Sequence, residues 1–180
     1  GKYGVFPFFE IDKLQPVEIA GLKHADVVFT SCEWSKKIIA NHGIDESKIK
    51  ICPLAVDHQT FNPSTQPPKF SGSKYTFINI GKWEVRKGHD ILVHIFNEAF
   101  TEEDDVELWM VNHNPFLKPE QIQHWQQIYL GSKLGSKIKC FDRLNTHAEV
   151  ASVIHQADCG VYISRAEGWN NEIPETMAMN

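Results

Sequence analysis

No apolar run in the sequence approaches the ~20 residues of a membrane span, and the opening GKYGVFPFF lacks the basic-then-apolar layout of a secretory leader. A chain without membrane spans, in the cytoplasm, is therefore expected. Excess positive charge is missing as well: the net charge of -5 argues against a protein that neutralises many phosphates of a nucleic acid. The densest basic stretch, Lys133, Lys137 and Lys139, has no interleaved aromatics and reads as solvated surface. Cys32, Cys52, Cys140 and Cys159 lie far apart with no C-x-x-C, so neither a zinc site nor a disulfide framework is expected. Each sits in or beside an apolar strand-like run, and the expectation is small core residues in a reducing compartment. The histidines form no H-x-x-x-H or H-E-x-x-H pair, and D-x-D, P-loop and G-x-G-x-x-G patterns are absent too. No metal and no cofactor are expected. The acidic run Glu102 to Asp105 reads as a solvated turn, while Glu10 and Asp12 follow a strand and could border a cleft.

What remains is ordinary globular chemistry, 42% apolar and 23% charged over 180 residues, enough for one domain and a fragment. Short β-branched runs alternate with longer amphipathic ones, the pattern of a parallel sheet flanked by helices. Strands are expected at Tyr3 to Phe9, Asp26 to Ser31, Lys48 to Cys52, Tyr75 to Ile80, Val106 to Asn112, Lys137 to Phe141 and Cys159 to Ser164. A helix is expected over Lys87 to Phe100, with Ile91, Leu92, Ile95, Phe96, Ala99 and Phe100 as its apolar stripe. Thr146 and Glu149 form a capping box before a helix with Val150, Val153, Ile154 and Ala157 inside. Pro119 suits the first turn of another helix, which Gly131 can end. The stretch 53–73, rich in proline and small polar residues, reads as an interdomain linker. Residues 1–52 are then a remnant of one α/β domain, and 74–180 are most of a second.

Two segments carry candidate chemistry. In GKWEVRKGHDILVHIF a strand ends at Gly81 and a helix follows, with Lys82, Arg86 and Lys87 at the junction. Cations at a helix N-terminus repel its partial positive charge unless an anion such as a phosphate occupies the site. In SRAEGWNNEIPETMAMN, Glu167 follows a strand and Glu175 enters a helix opened by Pro174. A carboxylate accepts two hydrogen bonds side by side, which suits the vicinal diol of a ribose or hexose.

These motifs resemble a known family. Glu167-Gly168-Trp169 followed by Glu175-Thr176-Met177-Ala178, together with Gly81-Lys82 and Lys87-Gly88, is similar to the hallmark of retaining glycosyltransferase family four, of group 1 type. ADVVFTSCEWSKKII and ICPLAVDHQTFNP look like that family's passage from N-terminal domain to linker. The resemblance implies a GT-B fold: a Rossmann-like parallel sheet with flanking helices as C-terminal domain, plus a remnant of the N-terminal Rossmann-like domain. It also implies that the chain starts inside the first domain and stops inside the helix begun at Pro174. Lys82 stands where arginine is common, Asn170 where glycine is frequent, and Asn112-His113-Asn114-Pro115 where a glycine-rich turn is usual.

By the same resemblance, Lys82 and Lys87 would hold the donor diphosphate in place of a metal, and Glu175 would grip the ribose. Glu167 would face the transferred sugar, with Gly168, Trp169 and Asn170 offering backbone groups, while Arg143 and Leu144 would lie along the base. The implied activity is transfer of a hexose from a nucleoside diphosphate sugar to an acceptor hydroxyl with retention, the acceptor being a saccharide, a lipid or a protein. The alternatives are a non-catalytic nucleotide-binding or interaction module, which donor turnover would separate, and another GT-B enzyme, a phosphorylase or sugar-nucleotide epimerase, which fits the linker and the glutamate spacing less well.

Overall fold

The structure is a computed structural model that describes residues 1–70, 72 and 74–179; Ser71 and Ser73 of the expected linker, and Asn180, lie outside the described residues. It divides into two units, Gly1–Ala55 with Ala166–Asn170, and Val56–Arg165 with Asn171–Asn180. Each is built on a parallel sheet with helices against it.

The first unit runs β1 (Gly4–Val5), α1 (Pro16–His24), β2 (Val27–Thr30), α2 (Glu33–Asn41) and β3 (Ile49–Ile51), with sheet order β1-β2-β3 and all pairs parallel. Phe9, Leu14, Leu22, Ala25, Val28, Ile39, Ile44 and Ile49 make its core. Helix α1 starts at Pro16, whose missing N–H costs nothing there, and the Gln15 N–H is taken by Glu18 Oε2 at 2.6 Å. Strand β1 is far shorter than the expected Tyr3 to Phe9, because Pro7 has no N–H to give a ladder.

The second unit runs β4 (Tyr75–Gly81), α3 (His89–Ala99), β5 (Val106–Asn112), α4 (Pro119–Leu130), β6 (Ile138–Cys140), α5 (His147–Gln156), β7 (Cys159–Gly160) and α6 (Glu172–Ala178). Its sheet order is β6-β5-β4-β7, every pair parallel. Both faces are covered. Leu108 and Met110 of β5 join Leu92, Phe96 and Tyr129 on one side, while Val111 joins Ile78, Ile80, Ala151 and Ile154 on the other. A parallel sheet buried on both faces explains why these strands read as nearly continuous apolar runs. Phe61, from the proline-rich stretch, is only 2% exposed and belongs to that second core.

Local chemistry sets the helix ends. Thr146 Oγ1 accepts the Glu149 N–H at 3.2 Å and Glu149 Oε2 accepts the Thr146 N–H at 3.0 Å, the reciprocal cap expected from the sequence. Pro119 opens α4 and Gly131 follows its last residue, also as expected. Helix α3 starts at His89 rather than Lys87, because Gly88 is left-handed at φ 79° and a Cβ there would stand 2.5 Å from the Ile163 carbonyl oxygen. Its inward face is His89, Leu92, Val93 and Phe96, whereas Ile91 and Ile95 are 38% and 46% exposed, which corrects the expected stripe. The i, i+3, i+4, i+7 set is led by a histidine, so hydropathy alone pointed one residue away.

Other expectations are corrected as well. Strand β7 stops at Gly160 instead of Ser164, since the Val161 carbonyl is taken by the Asn79 side-chain amide at 2.7 Å rather than by a strand neighbour. Helix α6 starts at Glu172, and Pro174 is its third residue, still within the first turn where no N–H is required. Lys137 is buried and donates to the Asp104 carbonyl at 2.7 Å, so it is not solvated surface. None of the four cysteines is fully buried: Cys52 is exposed and Cys32, Cys140 and Cys159 are half-buried, all as free thiols. Among the described residues no helix is long and apolar enough to cross a membrane, and no cluster of three His, Cys, Asp or Glu residues could hold a metal.

Candidate functional site

The end of β4 and the turn that follows form the centre of the candidate site. Gly81 has φ 143°, outside the range that side chains tolerate, and its bare Cα lets two charged chains close in beside it. A Cβ there would meet Lys87 Cδ at 3.0 Å and Glu172 Oε1 at 3.2 Å. Lys87 Nζ donates to Glu172 Oε1 at 3.1 Å, and the side chains are 8% and 22% exposed. Sequence reading had not singled out Glu172. Its i, i+3 spacing from Glu175 in one helical turn was the available signal, because such residues share a face.

Beneath the turn lies a polar group of three side chains that sequence reading also missed. His89 Nδ1 accepts the Glu84 N–H at 3.1 Å, which leaves Nε2 to carry the proton of the neutral ring and to donate to Asn79 Oδ1 at 3.0 Å. Asn112 Nδ2 donates to the same oxygen at 2.9 Å. These bonds tie the end of β4, the end of β5 and the start of α3 together under the Lys87 turn. The neighbouring turn is held by Asn114, whose Nδ2 donates to the Trp83 carbonyl at 2.9 Å while its Oδ1 accepts the Phe116 N–H at 3.0 Å. That is how Asn112-His113-Asn114-Pro115 turns without a glycine.

Gly81, Asn112, His113, Arg143 and Leu144 border a cavity of ≈ 210 Å³. It opens where β4 and β5 end and where the chain leaves β6, the edge at which open parallel sheets take ligands. Lys82 is exposed, with Nζ 5.6 Å from the Phe116 ring centroid. Glu175 is half-buried in the first turn of α6, and its carboxyl is pushed above the ordinary range by burial first and by the Glu172 charge second, against an attraction from His147. The structure thus brings Gly81 and Lys87 together with Glu172, and Gly81 together with Arg143 and Leu144.

Glu167, Gly168, Trp169 and Asn170 lie in the segment Ala166–Asn170, which groups with the first unit. There the Ser31 hydroxyl donates to the Gly168 carbonyl at 2.9 Å, and a Cβ at Gly168 would meet the Phe9 backbone at 3.1 Å. Asn170 Nδ2 donates to Glu167 Oε1 at 3.4 Å. The Trp169 indole nitrogen and Asn170 Oδ1 are buried without a hydrogen-bond partner.

The family model described as glycosyl transferases group 1 matches residues 74–180. Curated protein sequences give no significant match. Among solved structures, HepE of Anabaena in complex with UDP-glucose is similar at 14% identity and TM-score 0.73, over 91% of this chain and 45% of that one. The same protein with UDP and glucose aligns over 98% of this chain and 50% of its own, at 13% identity and TM-score 0.76. Sucrose-phosphate synthase of Thermosynechococcus elongatus is 18% identical at TM-score 0.72, over 91% and 41%. The chain spans about half the length, or somewhat less, of these structures. Its two parallel sheets with flanking helices match their fold.

Proposed function

This chain belongs to the group 1 glycosyl transferases, and from that premise we propose that its second unit binds a nucleoside diphosphate sugar whose hexose the whole protein passes to an acceptor hydroxyl with retention of configuration. Lys82 and Lys87 hold the diphosphate, Glu175 accepts the ribose hydroxyls, and Arg143 and Leu144 border the base. The same proposal keeps Glu167, with Gly168, Trp169 and Asn170, as the groups that meet the transferred sugar. UDP-glucose, the ligand of the Anabaena relative, is the first donor to try.

One observation carries this reading: the Lys87 stem packs against Gly81 with its ammonium held by Glu172, and Gly81 also borders the cavity of Arg143 and Leu144. A preplaced cation beside a concave pocket at strand ends suits an anionic nucleotide. In transfer, the bond between the sugar C1 and the diphosphate oxygen breaks, the acceptor oxygen bonds to C1, and its proton passes to phosphate. Negative charge grows on the leaving diphosphate, so fixed lysines stabilise the transition state more than the ground state. We propose that they do so without a metal ion. A cytoplasmic setting, where the four free thiols stay reduced, belongs to the same proposal.

A second reading is nucleotide binding without transfer. Calorimetry with UDP-glucose and UDP tests what the two readings share. Both ligands are expected to bind, and Lys87→Ala is expected to lose about tenfold or more in affinity, the scale of one charge-assisted contact. A chain that binds none of the common nucleoside diphosphate sugars sinks both. Release of free or transferred hexose separates them.

A further inference from the structure

Glu172 touches the very cation to which the donor diphosphate is assigned. Its Oε1 lies 3.1 Å from Lys87 Nζ, and a Cβ on Gly81 would lie 3.2 Å from that same oxygen, so lysine, glutamate and glycine are packed as one group. The two charged residues are 85 positions apart, and helix geometry alone does not bring them together. Glu172 is held from its own helix as well, since its carbonyl accepts the Thr176 hydroxyl at 2.6 Å, and Thr176 in turn meets the Tyr162 hydroxyl at 2.7 Å. A flexible four-carbon lysine is thereby held in one place.

An ammonium has three donors, so Lys87 can serve a carboxylate and a phosphate together. The carboxylate nonetheless repels every negative charge that reaches the lysine, in proportion to that charge. A nucleoside diphosphate ends in a free phosphate whose second pKa is about 6, so near neutral pH it carries roughly one more negative charge than the same nucleotide esterified to a sugar. The product of transfer therefore feels this repulsion more than the donor does.

We propose that Glu172 is a positioning residue that sets the selectivity of Lys87 by charge, weakening the nucleoside diphosphate product more than the sugar nucleotide donor and so favouring product release. The proposal rests on Lys87 being a diphosphate ligand. It is tested by calorimetry of UDP and UDP-glucose at about pH 8, above that phosphate pKa, on the wild-type chain and on Glu172→Gln, Glu172→Ala and Glu172→Asp, with melting curves to confirm folding. In the Gln variant UDP is expected to tighten about tenfold and UDP-glucose about threefold, as removal of one like charge nearby implies. The Ala variant should shift the ratio of the two affinities the same way, without the amide, and the Asp variant should restore the wild-type ratio. Equal shifts for both ligands, no shift, or weaker UDP binding in the neutral variants overturns the proposal and leaves the role of Lys87 intact. A wild-type chain that binds neither ligand overturns the assignment of Lys87 and this inference with it.

Discussion

The two ends of the second unit's sheet use the same residue types to opposite effect. At the N-terminal end, Glu107 receives Lys74 at 2.9 Å, Lys139 at 2.7 Å and the Trp109 indole N–H at 3.0 Å. Burial acts to raise its carboxyl, but hydrogen bonds from Lys139, Trp109 and Lys74 outweigh it and hold the group at about 2. At the end marked by Gly81, Glu175 moves the other way, raised by burial and by its neighbour Glu172. One carboxylate accepts from three donors, two of them cations; among the described residues the other forms no ion pair and feels only the attraction of His147. Cavity size does not separate them, since the larger cavity, ≈ 350 Å³, is bordered by Lys74, Glu107 and Lys139, whose charges already have partners. The direction of the shift does separate them, because an ionisable group left unfavourable by the fold is one that a ligand can relieve.

The largest expected effect falls on transfer. In the whole enzyme Lys87→Ala should lower kcat about a hundredfold, and chelation of divalent metals should leave the rate nearly unchanged, because fixed charge is proposed to stabilise the leaving group. An enzyme that dies in chelator, recovers with metal and tolerates Lys87→Ala would break the metal-free mechanism. At the opposite end, Glu107→Gln should cost about 1 kcal/mol of stability in urea unfolding and leave UDP affinity alone, since it removes the anion shared by Lys74 and Lys139, whose side chains are 44% and 55% exposed and can turn to water. Because the folded pKa of Glu107 is depressed, its contribution is present above the ordinary glutamate pKa and is lost as pH falls toward about 2.

Glu175→Gln should do the reverse, weakening UDP about tenfold, or ~1.4 kcal/mol, without lowering stability at neutral pH. Equal effects of the two substitutions on folding would erase the contrast between the ends. The smallest effect is on the pH profile. A raised folded pKa means that the contribution of Glu175 is full below the ordinary glutamate pKa and declines as pH rises through the folded value. Glu175→Gln should flatten that decline in melting temperature, and a parallel decline in both proteins would show that another group causes it.

What was legible in the sequence was local. Val106–Asn112 formed as expected because its apolar run is bounded by polar neighbours, and Thr146 with Glu149 capped α5 because both bonds lie within four residues. Lys82, Lys87 and Glu175 were flagged by residue type at strand and helix ends. The partner of Lys87 was not, since Glu172 reaches it only after the sheet and α6 have formed. Lys137 was misjudged for a like reason: its acceptor is a backbone carbonyl that leaves no mark on the sequence. His89 looked like a polar break in an apolar stripe, yet three elements fold around it.

Gly88, with its left-handed backbone and the Ile163 carbonyl 2.5 Å from any added Cβ, also limits how this turn can vary. Even alanine there combines an unfavourable φ with a clash against backbone, which no rotamer can relieve. In a library of random substitutions selected for folding, position 88 should return glycine almost alone, while Val85 three positions earlier, 54% exposed, should accept most residues. Selection for folding would thus preserve the placement of Lys87 indirectly, even among variants never screened for nucleotide binding.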